Sequence, residues 1–431
     1  MGESVLAHAG FTRSSGVLAC EWVPLEQIAA SVGTPTYVYS AGAVRGQLEK
    51  LSRALAGVPH RVHYSVKANS SLAVLALLRE LGAGVDIVSG GELHRALVAG
   101  FVGADVVFSG VGKTEREIGE ALAAGVRFLN VESEGELRLI DRVATATGVR
   151  APVALRVNPE VSVSTPHPYT RTGERGNKFG IEFAEAVAVA HLALSLPGVR
   201  LVGFDMHIGS QVSSVEPYVQ GLARLLELVR HMRAAGAADL SVLDLGGGFA
   251  VTYQDEVESD LQGFARLLRP AVERTGLEIV VEPGRFLVGN AGLLLTQVLY
   301  RKQSGGKEFV ITDAGMTELL RPSHYNAFHR IEAVSEPDGR RTRLVADVVG
   351  PVCESGDFFA LDREIDDVQP GELLAVHSAG AYGYAMASNY NSRPRPAEVL
   401  VDGDRFAVIT ERETYDDLVR REHATPTWRT A

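Results

Sequence analysis

The spacing of apolar and polar positions changes twice along the chain. Residues 1–40 read as short strands and turns, closing on the aromatic and β-branched run Thr36-Tyr37-Val38-Tyr39-Ser40. From about residue 41, apolar runs of strand length alternate with longer segments of helical period. Strands are predicted at 62–66, 84–88, 105–109, 127–131, 153–157, 201–207, 242–245 and 278–281. Helices are predicted at 70–81, 91–99, 114–124, 133–147, 184–196, 217–235 and 261–275, and Ser133-Glu134-Gly135-Glu136 has capping-box spacing. After about residue 291 the alternation stops. Short strands at 309–312, 343–349, 372–376, 398–401 and 405–409 are then separated by Gly, Pro and Asp turns.

Eight strand-plus-helix units over about 230 residues match the size of a (β/α)8 TIM-like barrel. A doubly wound open sheet would want a glycine-rich turn after its first strand, and Lys67-Ala68-Asn69-Ser70 is nothing like one. The expectation is a barrel over 41–290 and a mostly β domain in which 1–40 completes 291–431. Ser304-Gly305-Gly306 and Pro337-Asp338-Gly339 read as exposed turns too short to be linkers.

Composition narrows the function classes. The formal charge is 42 − 53 = −11, without a Lys/Arg block, which argues against a nucleic-acid surface. Two cysteines, Cys20 and Cys353, make neither a disulfide framework nor a metal-type spacing, and no metal site is expected. No apolar run approaches the roughly 18 residues of a membrane span, and Met1-Gly2-Glu3-Ser4-Val5-Leu6 has no signal-peptide pattern. The expected location is the cytoplasm.

Active sites of such barrels gather at the strand C-termini. The first strand leads to Lys67 in Arg61-Val62-His63-Tyr64-Ser65-Val66-Lys67, an uncomfortable place for a charge unless the amine is needed as a nucleophile. Strand 2 delivers Asp86, strand 5 Arg156-Val157-Asn158-Pro159, and strand 6 His207 within Asp205-Met206-His207-Ile208-Gly209-Ser210-Gln211. Strand 7 ends in Gly246-Gly247-Gly248, a candidate phosphate cradle, and strand 8 in Glu282-Pro283-Gly284-Arg285. An amine, a phosphate cradle, a flat imidazole and a carboxylate in one pocket suit pyridoxal phosphate. Taken singly, each has an ordinary reading: a snorkelling lysine, a glycine turn, a packed histidine, a salt bridge between Glu282 and Arg285.

Taken together, the motifs resemble a known family, the diaminopimelate decarboxylases within the alanine-racemase-like, fold type III pyridoxal-phosphate enzymes. The resemblance runs from Gly33-Thr34-Pro35 to Tyr415-Asp416-Asp417-Leu418. Besides the barrel motifs it includes Thr165-Pro166-His167-Pro168-Tyr169, Asn177-Lys178-Phe179-Gly180, Arg321-Pro322 with Tyr325, Cys353-Glu354-Ser355-Gly356-Asp357, and Gly380-Ala381-Tyr382-Gly383. It implies that Lys67 forms the internal aldimine, that His207 stacks on the pyridine face near Asp86, and that Glu282 pairs with the pyridine nitrogen. Ser210, Gly247, Gly248, Gly284, Arg285 and Tyr382 would hold the cofactor's phosphate region. Arg285, Arg321 and Tyr325 would hold the carboxylate that is not lost, with Tyr382, Glu354 and Asp357 completing the substrate site. Cys353, Glu354 and Asp357 would come from the neighbouring subunit of a homodimer with shared active sites, Cys353 competing with Lys67 as the acid that reprotonates the product carbon.

The implied reaction is decarboxylation of meso-2,6-diaminopimelate to L-lysine. Two arginines favour a substrate with a distal carboxylate over one with a bare distal ammonium. The rivals are decarboxylation of carboxynorspermidine or of a carrier-linked glutamyl group, a racemase of the same fold, and a non-catalytic relative. Phe286 and Val352 depart from the family pattern beside the site. Residues 165–180, rich in Pro, Gly and charge, are a candidate lid.

Overall fold

The computed structural model describes residues 9–161, 176–336 and 341–429. The Thr165–Tyr169 motif, most of the candidate lid, the Pro337-Asp338-Gly339 turn and the first six residues lie outside them. The chain divides into two compact units, Ala41–Ala291 and a second made of Met1–Ser40 with Gly292–Ala431.

The first unit is a closed barrel of eight parallel strands. They are His60–Ser65, Gly84–Ile87, Val106–Phe108, Phe128–Val131, Ala151–Asn158, Val199–Asp205, Val242–Asp244 and Glu278–Val281, called barrel strands 1 to 8. Strand 8 pairs with strand 1 through Ile279↔His60 and Val281↔Val62, which closes the ring and leaves it no edge. The helices between them start and stop where local chemistry dictates. Thr114 caps Glu115–Ala124 in a full capping box with Glu117, and left-handed Gly125 ends it. At Ser133 only half of the expected box forms: Ser133 Oγ accepts from Glu136 N–H at 3.2 Å. The Glu136 carboxylate is taken instead by buried Lys113 at 2.8 Å and by Glu132 N–H. Two helices of this unit were not anticipated, Ala41–Ala54 and the four-residue Arg285–Val288.

The barrel interior is layered. Val107, Phe128, Ala154, Val202, Val242 and Val280 form an apolar cluster, one residue from each of strands 3 to 8. Two positions further along stand Ser109, Asn130, Arg156, Asp244 and Glu282, and strands 1 and 2 add Ser65 and Asp86; all are buried. Strand 6 reaches the same level only with one extra residue, from Val202 to Asp205. The register with strand 5 slips between Leu201 and Gly203, a β-bulge that brings Asp205 into phase. Glycine is required at the bulge, because a Cβ on Gly203 would stand 2.3 Å from the Val242 carbonyl oxygen.

The second unit is mostly β. Its main sheet runs Phe358–Asp366, Arg343–Val349, Lys307–Thr312, Gly292–Ser304, Thr36–Ser40, Ala397–Asp402, Arg405–Thr410. Thr36–Ser40 lies antiparallel to Gly292–Ser304 and parallel to Ala397–Asp402, so the N-terminal segment completes the sheet. The structure adds elements that the pattern reading lacks, among them three longer ones. Gly292–Ser304 is one long strand, Phe358–Asp366 is a strand, and Leu25–Val32 is a helix. The first escapes because its apolar run passes into polar residues midway, which blurs the period of two.

Gly203→Ala should lower stability by about 1–3 kcal/mol, the usual cost of overpacking a filled interior. The check is the urea midpoint of the full chain against wild type.

Candidate active site

Strand 1 ends at Ser65, two residues short of Lys67, which lies instead in a single 3-10 turn, Val66–Ala68. The lysine is therefore not a strand-end residue. Tyr64 OH donates to the Asn69 carbonyl at 2.9 Å and Asn69 Oδ1 accepts from Ser71 N–H, which folds the turn back over the barrel mouth. Lys67 Nζ reaches Asp86 Oδ2 at 3.1 Å, and Ser65 Oγ donates to the same oxygen at 2.9 Å. The Lys67 side chain stays about a third exposed while Asp86 is sealed.

Around the mouth the buried polar residues form a connected ring. Ser109 Oγ donates to Glu282 Oε1 at 3.3 Å, and Asn130 Nδ2 donates to Ser109 at 3.1 Å and to Asp244 Oδ2 at 3.3 Å. Asp244 and Glu282 share a side-chain hydrogen bond. Carboxylate oxygens of Asp205, Asp244 and Glu282 all lie within 4.8 Å of one another. Arg156 Nη1 donates to Glu132 at 2.6 Å, and its Nε lies 3.8 Å from Asp205.

This crowding of acids controls protonation. Burial pushes Glu282 well above the usual carboxylate range, and Asp244 and Asp86 push the same way against Lys67. Asp244 is pushed up to about 8 by burial and then by Asp205. Asp205 rises through burial and Glu282, with Arg156 opposing. His207 is driven the other way, well below its ordinary value, by burial and then by Arg156 and Lys67. The imidazole is neutral, and its Nδ1 accepts from Gly247 N–H at 3.2 Å.

The three glycines after strand 7 first serve packing. A Cβ on Gly247 would stand 2.1 Å from the Glu282 carbonyl oxygen, and one on Gly248 2.3 Å from that of Gly209. The loops after strands 6, 7 and 8 thus interlock. Gly284 fits in the same way, its missing Cβ facing Ala68 and Ser65 at 3.1 Å, so the strand 8 loop lies on the Lys67 turn. Arg285 Nη1 donates to Tyr253 OH at 2.6 Å and Nη2 to Ser210 Oγ at 3.4 Å. Phe286 is buried against Phe249.

The structure thus brings Lys67, Asp86, His207, Ser210, Gly247, Gly248, Glu282, Gly284 and Arg285 to one end of the barrel. Sequence reasoning missed Ser109, Asn130, Asp244, Tyr253 and Glu92. Glu92 holds Val88 N–H at 2.7 Å and is raised to about 7, chiefly by burial. A polar residue closing an otherwise apolar run, as in Val242-Leu243-Asp244, is the signal that could have found Asp244 and Asn130.

The remaining expected residues lie in the β unit. Arg321 and Tyr325 stand on the short helix Arg321–Tyr325, and Tyr382 has a left-handed backbone, φ 55°. Cys353 is exposed, its N–H donated to Asn391 Oδ1 at 2.8 Å, and Glu354 is exposed beside it. Asp357, expected as a substrate contact, has a place in its own loop. It is buried, and its two oxygens accept from Met316 and Val352 N–H, each at 2.6 Å. In this structure it shapes the loop that carries Cys353 and Glu354.

The barrel mouth fits pyridoxal phosphate on its own chemistry. It offers an accessible amine, a neutral ring, and a carboxyl cluster with far more negative than positive capacity. Buried Asp86 Oδ1 and Asp205 Oδ1 have no hydrogen-bond partner among the described residues.

Comparison with known proteins points the same way. Residues 41–289 match the family described as pyridoxal-dependent decarboxylase, pyridoxal binding domain. The chain is 48% identical over 416 residues to the diaminopimelate decarboxylase of Pseudomonas aeruginosa, covering 96% of this chain and 99% of that one. It is 45% identical over 405 residues to that of Aquifex aeolicus, covering 94% and 95%. Among solved structures, the Helicobacter pylori diaminopimelate decarboxylase complexed with L-lysine superposes with a TM-score of 0.88 at 39% identity, covering 92% and 99%.

Asp244 holds its proton in the folded chain from pH 3.8, its ordinary value, up to about 8. Folded protein binds more protons than unfolded protein in that window, so stability falls as pH rises through it. Asp244→Asn should flatten that decline in the cofactor-free chain, read as the thermal midpoint between pH 5 and 8.

Proposed function

Because the chain belongs to the pyridoxal-dependent decarboxylases, and within them to the diaminopimelate decarboxylases, we propose that it converts meso-2,6-diaminopimelate to L-lysine and carbon dioxide, the last step of lysine biosynthesis. Bound pyridoxal phosphate supplies an aldehyde for amine chemistry and a ring that accepts the electrons left when a carboxylate departs. The protein's own residues set the conditions for that chemistry.

Lys67 Nζ is the amine that holds the cofactor and is displaced by the substrate's amine. Asp86, already within hydrogen-bond reach, stabilises the proton that the freed lysine then carries. Glu282 would be the partner of the pyridine nitrogen. It is hard to ionise without a cation nearby, so a protonated ring nitrogen is the partner its surroundings favour. His207, a neutral ring, would lie against the face of the bound group and add no competing positive charge. Ser210, Gly247, Gly248, Gly284, Arg285 and Tyr382 would hold the phosphate region, with Tyr253 fixing Arg285.

Arg321 and Tyr325, with Arg285, take the carboxylate that is kept, and Glu354 takes the ammonium beside it. Cys353 gives a proton to the carbon that has lost its carboxylate. Both Cys353 and Glu354 are exposed, which suits service to the site of a second copy of the chain in a homodimer. The observation that carries the reading is the amine of Lys67 on Asp86, set on the same ring of strand ends as the proton-sharing Glu282–Asp244 pair.

Purified protein with pyridoxal phosphate should release lysine and carbon dioxide one for one from meso-diaminopimelate, and Lys67→Ala should lose both the product and the cofactor's lysine-bound absorbance. No lysine, with turnover of carboxynorspermidine or a carrier-linked glutamyl compound, overturns the substrate assignment. Cys353→Ala should slow turnover by about 10²–10⁴-fold, the usual worth of a placed proton donor. Mixing the inactive Lys67→Ala chain with Cys353→Ala should recover activity through hybrid dimers; no recovery contradicts shared sites.

A further inference from the structure

We infer that His329 is a positioning residue for the kept carboxylate of the substrate, acting through Arg321. The inference rests on the reading above that Arg321 binds that carboxylate.

The geometry forms a short relay from backbone to guanidinium. His329 is fully buried, and its Nδ1 lies 2.7 Å from the His377 carbonyl oxygen. A carbonyl only accepts, so Nδ1 carries the hydrogen. In the neutral ring Nε2 then has a lone pair, and Arg321 Nη1 stands 2.8 Å from it and donates. An arginine–imidazole hydrogen bond with that tautomer fixes the plane of the guanidinium, which two-point recognition of a carboxylate requires.

The relay is anchored at both ends. His377 N–H donates to the Arg330 carbonyl at 2.9 Å, continuing the antiparallel pair Ile331–Ala333 with Leu373–Val376. The His329 carbonyl accepts from Arg363 Nη1 at 2.6 Å, and the Arg363 guanidinium lies 4.3 Å over the Phe328 ring. Arg321 starts its own helix, and its carbonyl accepts from Ala327 N–H at 3.3 Å, bringing the segment back toward His329. Backbone pairing in one part of the sheet thereby sets the direction of a charged side chain that opens a helix eight residues earlier in sequence.

Two substitutions separate the acceptor from simple packing. His329→Asn keeps a donor for the His377 carbonyl but has no atom reaching Arg321. His329→Gln places an amide oxygen where Nε2 stood. The readouts are KM and kcat with meso-diaminopimelate, and inhibition by L-lysine, which keeps the carboxylate, and by cadaverine, which lacks it.

His329→Asn should raise KM and the lysine inhibition constant together by roughly tenfold, the worth of a hydrogen bond to a charged group. Its kcat should fall far less and cadaverine inhibition should not move, while His329→Gln should recover most of the loss. Equal weakening of cadaverine and lysine, or no change in either, overturns the inference. Arg321→Ala is the control. If it leaves lysine inhibition unchanged, the carboxylate role of Arg321 fails first; if it weakens lysine while His329→Asn does not, only the relay fails.

Discussion

Four buried carboxylates, Asp86, Asp205, Asp244 and Glu282, face one another at the mouth of this barrel, with the Arg156 guanidinium and the Lys67 amine close by. Taking that much negative charge out of water is costly, and the protein limits the cost by keeping protons on the Glu282–Asp244 pair. The same arrangement makes the mouth receptive to a cation of the right shape. A protonated pyridine ring with an aldehyde for Lys67 meets both demands, and the neutral His207 leaves the balance undisturbed. The strand bulge at Val202, the glycine packing of three loops and the turn that carries Lys67 all serve to hold these groups level.

Much of this was legible in the sequence, because the barrel repeats one physical pattern. Each strand is an apolar run closed by a residue of another kind, and the closures of strands 1, 2, 5, 6, 7 and 8 already point to the mouth, while Ser109 and Asn130 on strands 3 and 4 do not stand out. What the pattern could not give was phase. Lys67 lies two residues beyond its strand because Tyr64 and Asn69 close a turn that periodicity does not register. Asp244 stayed hidden because a single acid in an apolar run looks like a strand end, and its weight comes only from Asp205 and Glu282 across the ring. The Ser133 box half-formed because Glu136 found a buried lysine, a tertiary partner stronger than a local one. Asp357 turned out to hold backbone N–H groups, the use a short acid finds most readily in a tight loop.

In the proposed reaction the β unit would answer a different problem, reading the end of the substrate that does not react. For the Arg321 guanidinium the difficulty is direction rather than protonation. On the inference drawn above, His329 supplies direction by borrowing it from a strand pair, the His377 carbonyl fixing its tautomer and so leaving Nε2 to accept from Arg321.

The central claim is that the acid ring keeps the cofactor's ring nitrogen protonated through Glu282. The most direct measurement is the ¹⁵N resonance of pyridoxal phosphate labelled at the pyridine nitrogen and bound to the full-length protein at neutral pH. A protonated nitrogen in wild type, lost in Glu282→Gln, is the result this account predicts. An unprotonated nitrogen in the wild-type protein would contradict it.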